Sequence, residues 1–325
     1  MDWGEDSIWS FAKRVDELFN KTKGTGNVIT LNRAFSAYVD DAVSNACFGK
    51  SIGLLEDEDF SPLWHRMLHG LGTQTPLLFN FPILPRMLNL LPVGVVARGD
   101  YTQNRKLIET IILSDELPAS QKTKSRLATE ASVVLAAGGI TTMRMLTIVA
   151  YYLLADPVKE KRVREELAGL MAGYPDRTPR WGELEGLPYL SACVNEALRL
   201  GIGATRHVSK YFPHDEITYK EWVIPKGVDE EVYPSAWSFI PERWLGDIDH
   251  RMDRNLNPFS KGSRVCLERS NLAYADMYIL LATLFRPGGP RMTLYKTDES
   301  DVKFECDFGV SSPRLDSKGV RATIG

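Results

Sequence analysis

Cys266 closes the run Phe259-Ser260-Lys261-Gly262-Ser263-Arg264-Val265-Cys266, and apolar residues at helical spacing follow it at once. A thiol must shed its proton before it can ligate a metal or attack a carbon, and nearby cations or a helix N-terminus lower that cost. Lys261 and Arg264 supply the cations, the pattern Leu267, Leu272, Tyr278, Ile279 supplies the helix, and Gly262 permits a tight turn around the sulfur. The context is that of a metal-binding thiolate. The plainer reading is a buried cysteine at a helix start.

Two further sets stand upstream. Glu196-Ala197-Leu198-Arg199 puts an acid and a base three apart on one helix face. A pair of this kind on a surface is a solvated bridge worth little. Its apolar flanks, Leu190, Val194, Ala197 and Leu198, indicate a half-buried helix instead. Ala137-Gly138-Gly139-Ile140-Thr141-Thr142 lies inside a long apolar segment. By themselves the glycines read as a kink or a close packing site, and Thr141 as a hydroxyl back-bonded to a carbonyl one turn earlier.

Together these runs resemble the cytochrome P-450 monooxygenases. Phe259, Gly262, Arg264 and Cys266 are in register with the heme signature Phe-x-x-Gly-x-Arg-x-Cys-x-Gly, with Glu268 in place of the last glycine. Glu196, Arg199 and Arg243 match the family's ion-paired triad, and Ala137 to Thr142 matches the oxygen-binding turn of its long central helix. The wording of Leu187-Pro188-Tyr189-Leu190-Ser191-Ala192 is similar to fungal secondary-metabolism members.

The resemblance implies a mainly α fold with small β-sheets, a cytochrome P-450-like fold lacking its N-terminal part, in a single partial domain over 1–325. It implies heme b iron ligated by Cys266, with Phe259, Gly262, Arg264 and, replacing the usual propionate contact, Arg206 around the heme. Ala137, Gly138, Thr141 and Thr142 are implied in oxygen activation. The product is a hydroxylated or epoxidised small hydrophobic molecule, and the electrons come from NADPH through a reductase.

The chain departs from the family at several places. Ile140 stands where an Asp or Glu precedes the first threonine, and His207-Val208 alters the segment after Arg206. Gly227-Val228 passes directly to Asp229-Glu230, without the strand that follows in the family. The family's anchor and first helices have no counterpart. The alternative to a working monooxygenase is therefore a truncated, catalytically silent relative with impaired heme binding.

Positioning these residues falls to a run of helices. Amphipathic patterns cover 7–20 and 32–47, helices are expected at 96–113, 125–155 and on to about 172, and the Glu196 helix spans 189–200, closed by Gly201 and Gly203. The heme-ligand loop and helix span 258–286. Ile217-Thr218-Tyr219 and Trp222-Val223-Ile224 form a small hairpin, and alternation over 292–315 predicts a second one turning at 297–301. Phe79 to Gly94 is apolar but interrupted by Pro82, Pro85 and Pro92.

Composition narrows the classes. A net charge of -3, from 39 basic and 42 acidic side chains without a basic tract, gives no footprint for nucleic acid. Cysteines 47, 193, 266 and 306 have no paired spacing, which excludes a disulfide framework or zinc knuckle. The first twenty residues read as neither signal peptide nor anchor. The full-length family sits on the endoplasmic reticulum membrane through its anchor, whereas this chain is expected to be soluble or peripheral. Ala131 to Ala155 carries one charge, Arg144, and is long enough to span a bilayer. An arginine near its centre costs about 2.5–3.5 kcal/mol there, so a buried core helix is expected.

Overall fold

The computed structural model describes residues 4–68, 70, 73, 118, 122–203, 217–219, 222–224, 232–260, 266 and 272–325. The expected helix at 96–113, the apolar stretch 79–94 and the segments around Arg206 and Gly227 lie outside them.

Helix α1 (Glu5–Lys21) buries Ile8, Trp9, Ala12, Val15 and Phe19, the stripe written by its 3.6-residue period. A short strand, β1 (Val28–Thr30), leads into α2 (Leu31–Phe48). Helix α2 is buried on nearly every side because it packs against α1, against the long helix α3 (Lys124–Ala155) and against a late apolar helix. Its buried Asp41 accepts hydrogen bonds from the backbone of Leu54 at 3.0 Å and Leu55 at 2.9 Å and from Ser51 Oγ at 2.7 Å. Burial nevertheless pushes the Asp41 carboxyl above its ordinary pKa.

Helix α3 has 32 residues and is about 48 Å long at 1.5 Å per residue. Thr123 caps its start, and its end is set by Asp156-Pro157: the aspartate side chain accepts from Val158 N at 3.0 Å and so caps α4 (Pro157–Leu167), with proline at the first helical position. A window within Thr129–Ala155 is apolar enough to cross a membrane, yet 61% of it is buried inside the protein. Met145, Leu146, Ile148, Val149 and Leu153 join the main core, which is the role expected of a central helix.

Short α5 (Trp181–Glu185) precedes α6 (Pro188–Gly201), the helix of Glu196. Its end corrects the expectation of a glycine cap, because the left-handed residue is Ile202, at φ 38°. Gly201 is needed for a different reason: a Cβ there would lie 2.2 Å from Met145 Cε of α3. Strands β2 (Ile217–Tyr219) and β3 (Trp222–Ile224) form the small hairpin, Ile217 opposite Ile224. A 3₁₀ turn (Pro241–Trp244), α7 (His250–Asn255) and the buried α8 (Leu272–Phe285) follow. Asp16 of α1 pairs with Arg286 just past α8 at 2.7 Å.

The expected hairpin over 292–315 is not formed. Strand β4 (Met292–Leu294) pairs instead with β7 (Arg321–Ile324), which also pairs with β1, so the sheet order is β1-β7-β4. Residues 299–301 form a 3₁₀ turn, and Cys306–Asp307 (β5) pairs with Ser311–Ser312 (β6) in a separate short hairpin. Alternation marks strands but does not choose their partners.

Candidate functional site

Glu196 is fully buried and anchors a densely hydrogen-bonded cluster. Arg199 donates to it through Nε and Nη2, both at 2.8 Å, and Arg243 through Nε at 3.1 Å. Ile240 N and Trp244 Nε1 complete the set at 2.8 Å each. Both guanidiniums are nearly buried and spend their remaining donors on backbone carbonyls: Arg199 on Ala236 and Ser238, Arg243 on Pro234. Spacing pairs Glu196 with Arg199 and the family resemblance adds Arg243, whereas Trp244 and the Ile240 amide emerge only from the fold. The cluster locks α6 to the segment 234–244.

Cys266 is exposed, and its backbone amide donates to Phe259 O at 3.1 Å, closing the intervening loop. Ser260 next to Phe259 sits at φ 65°, a left-handed conformation that costs a non-glycine residue roughly 1–2 kcal/mol. Phe259 packs on Tyr274 of α8 with ring centroids 5.2 Å apart. Gly262 and Arg264, like Arg206 and Glu268, lie outside the described residues. Cys193 is instead a core residue of α6, its thiol pushed well up by burial.

On α3 the residues of the glycine-threonine turn divide between two flanks. Val133 is 57% exposed, and Ala137 and Thr141 continue that stripe at four-residue spacing, so one flank of the helix is uncovered apolar surface. Thr141 Oγ1 donates to Ala137 O at 2.7 Å, the back-bond that the residue type allows. Gly138, Gly139 and Thr142 face inward. Gly139 is a close packing site, because a Cβ there would fall 1.9 Å from Asp40 Oδ1 of α2.

Sequence reasoning passed over two buried charges beside this turn. Asp40 is fully buried, and its Oδ2 accepts from Ser36 Oγ at 3.0 Å and Trp64 Nε1 at 2.7 Å. The available signal was a pair of aspartates in the middle of an apolar helix. Arg144, one turn beyond Thr141, is 5% exposed; Nη2 donates to Val302 O, while Nε and Nη1 have no hydrogen-bond partner among the described residues. Burial pulls its pKa down to about 10.

A largely helical fold with small antiparallel sheets, a buried Glu-Arg-Arg lock, a small-residue turn in a central helix and an exposed loop thiol combine the features of the heme-dependent oxidoreductases. Comparison with known proteins settles the family: the cytochrome P-450 family model matches residues 97–287, and the chain belongs to that family. Fusicoccadiene C-8 hydroxylase of Phomopsis amygdali is 35% identical over 366 residues, covering 98% of this chain and 70% of that protein. Cytochrome P-450 monooxygenase oblB of Aspergillus clavatus is 36% identical over 354 residues, covering 95% and 68%. Stellatic acid synthase of Emericella variicolor is 33% identical over 369 residues, covering 98% and 69%.

The family implies a heme iron. An exposed thiol is the soft donor that such iron takes from a cysteine, so Cys266 is chemically fit to hold it.

Proposed function

We propose that this chain is a heme-thiolate monooxygenase that inserts one oxygen atom of O2 into a small hydrophobic substrate of fungal secondary metabolism. The observation that carries the reading is the exposed Cys266 thiol at the closed loop before α8, in a chain whose relatives include a hydroxylase of fusicoccadiene. Cys266 would hold heme b iron, with Phe259, Gly262, Arg264 and Arg206 as the residues around the macrocycle. The thiolate's electron density favours O–O cleavage when heme is bound.

The protein's own residues do the rest. The uncovered stripe of Val133 and Ala137 would supply apolar wall for the substrate. Thr141 presents a hydroxyl on the same flank, held in one rotamer by Ala137 O, and Thr142 follows it on the inner flank. The Glu196 lock fixes α6 against the segment that leads to the cysteine loop. Electrons come from NADPH through a reductase, and location at the endoplasmic reticulum membrane is part of the same reading.

A catalytically silent relative is the second reading. The alignment to fusicoccadiene C-8 hydroxylase extends over 366 positions but takes in 98% of only 325 residues, so several tens of its positions face no residue within this chain. Reconstitution decides between them. The heme-loaded chain with a reductase and NADPH is expected to convert a polycyclic hydrocarbon to an alcohol carrying the ¹⁸O of labelled O2; a chain that takes up heme and oxidises NADPH without labelled product is the silent relative.

A further inference from the structure

An arginine keeps its proton at neutral pH, so a guanidinium taken out of water needs an anion or a full set of acceptors. Arg144 of α3 has neither among the described residues: it is 5% exposed, Nη2 donates to Val302 O, and Nε and Nη1 have no hydrogen-bond partner there. Burial lowers its pKa only to about 10, which leaves it charged at neutral pH. The carboxylates of the turn that precedes Val302 are bonded elsewhere. Glu299 accepts from the Tyr152 hydroxyl at 2.9 Å, Asp298 from Ser300 N at 2.9 Å, and Asp301 from Ser317 Oγ at 2.6 Å.

This unmatched charge stands at the end of a line. Val133, Ala137, Thr141 and Arg144 follow one another at steps of four, four and three, which return to the same side of a helix. Exposure falls along that line: Val133 is 57% exposed, Ala137 is exposed, Thr141 is half-buried and Arg144 is buried. The apolar flank thus runs from open surface, past the threonine hydroxyl, to a guanidinium with donors to spare. A buried charge without a partner costs stability, and departures of that kind collect at functional sites.

We propose that Arg144 is a binding residue for the substrate: the apolar body of the substrate lies along Val133 and Ala137, and a carboxylate at its inner end pairs with the unused N–H groups of Arg144. The proposal rests on the monooxygenase reading and narrows its substrate class to apolar skeletons that already carry an acid group. A hydrogen bond between two ions is the strong kind, and a site shielded from water strengthens it further. A bare hydrocarbon covers the stripe but leaves the guanidinium unmatched, so it binds more weakly. With the carboxylate held beyond Thr141, the carbon presented at the threonine turn is set by its distance from the acid group, so Arg144 also selects the position that is oxidised.

Equilibrium dialysis of the heme-loaded chain at neutral pH tests this, with adamantane-1-carboxylate and 1-adamantanemethanol as probes that share a skeleton and differ in the acid group. The unmodified chain is expected to hold the acid about tenfold more tightly than the alcohol, and Arg144→Met and Arg144→Gln are each expected to hold the two alike. Equal affinities in the unmodified chain, no binding of either probe, or a preference that survives both substitutions overturns the proposal. Dialysis reads no turnover. A preference for the acid that depends on Arg144, in a chain that forms no labelled alcohol, supports the binding site and overturns the monooxygenase reading alone.

Discussion

Glu196 and Asp40 are both completely withdrawn from water, and they are held in different ways. Glu196 meets two guanidiniums, an indole and a backbone amide, so its charge is matched and every direction around it is spoken for. Asp40 meets a hydroxyl and an indole on one oxygen and a glycine backbone on the other. Hydrogen bonds donated by a cation are stronger than those donated by a neutral group. The first arrangement suits a permanent lock between chain segments. The second sets the close approach of α2 to α3 at Gly139.

The widest separation between the two should come from removing the charge at the lock. Glu196→Gln leaves Arg199 and Arg243 facing each other without an anion, and breaking a buried pair costs about 3–5 kcal/mol. Urea denaturation is expected to show that loss in the midpoint with little change in slope; a midpoint near that of the unmodified chain would mean that the lock is ornamental.

Trp64→Phe keeps the ring but removes one donor to Asp40. Hydrogen bonds to charged groups contribute about 1.5–3 kcal/mol, those between neutral groups about 0.5–1.5. A calorimetric loss within these ranges is expected, and a variant as stable as the unmodified chain would contradict the contact.

Arg144 sharpens the comparison from the cationic side, since it is a buried charge with one carbonyl acceptor and two unpartnered N–H groups. Its pKa is lowered in the folded state, so the unfolded chain binds the proton more tightly and the penalty on folding is fully present below pH 10, easing as pH rises beyond it. Arg144→Met is therefore expected to raise stability by about 1 kcal/mol across the neutral range, within what replacement of buried charge by apolar side chains delivers. A destabilised variant would show that the guanidinium is doing structural service at Val302.

The smallest effect belongs to Thr141→Val. Its hydroxyl returns to a carbonyl of its own helix, a bond that helix geometry does not need. The melting temperature of the heme-free chain is expected to move by no more than a degree or two, at about 0.5 kcal/mol or less.

How much of this could be read in advance differs by kind of interaction. Helices α1, α2 and α3 are written in the period of their apolar residues, and Glu196 with Arg199 in an i,i+3 spacing, because local geometry decides both. The β2–β3 hairpin is likewise local. Contacts between distant segments left no such mark: nothing in Gly139 names Asp40, and nothing in β4 names β7 as its partner. The same limit covers Gly201, whose missing side chain is required by Met145 of another helix.

The central claim is that the Cys266 sulfur, as thiolate, holds heme iron. The reduced, heme-loaded chain under carbon monoxide is expected to give the long-wavelength Soret band of a thiolate-ligated heme, and Cys266→Ser is expected to lose it while the helical circular dichroism stays unchanged. A thiolate-type band that persists in Cys266→Ser, or one that never forms in a heme-loaded unmodified chain, would contradict the account.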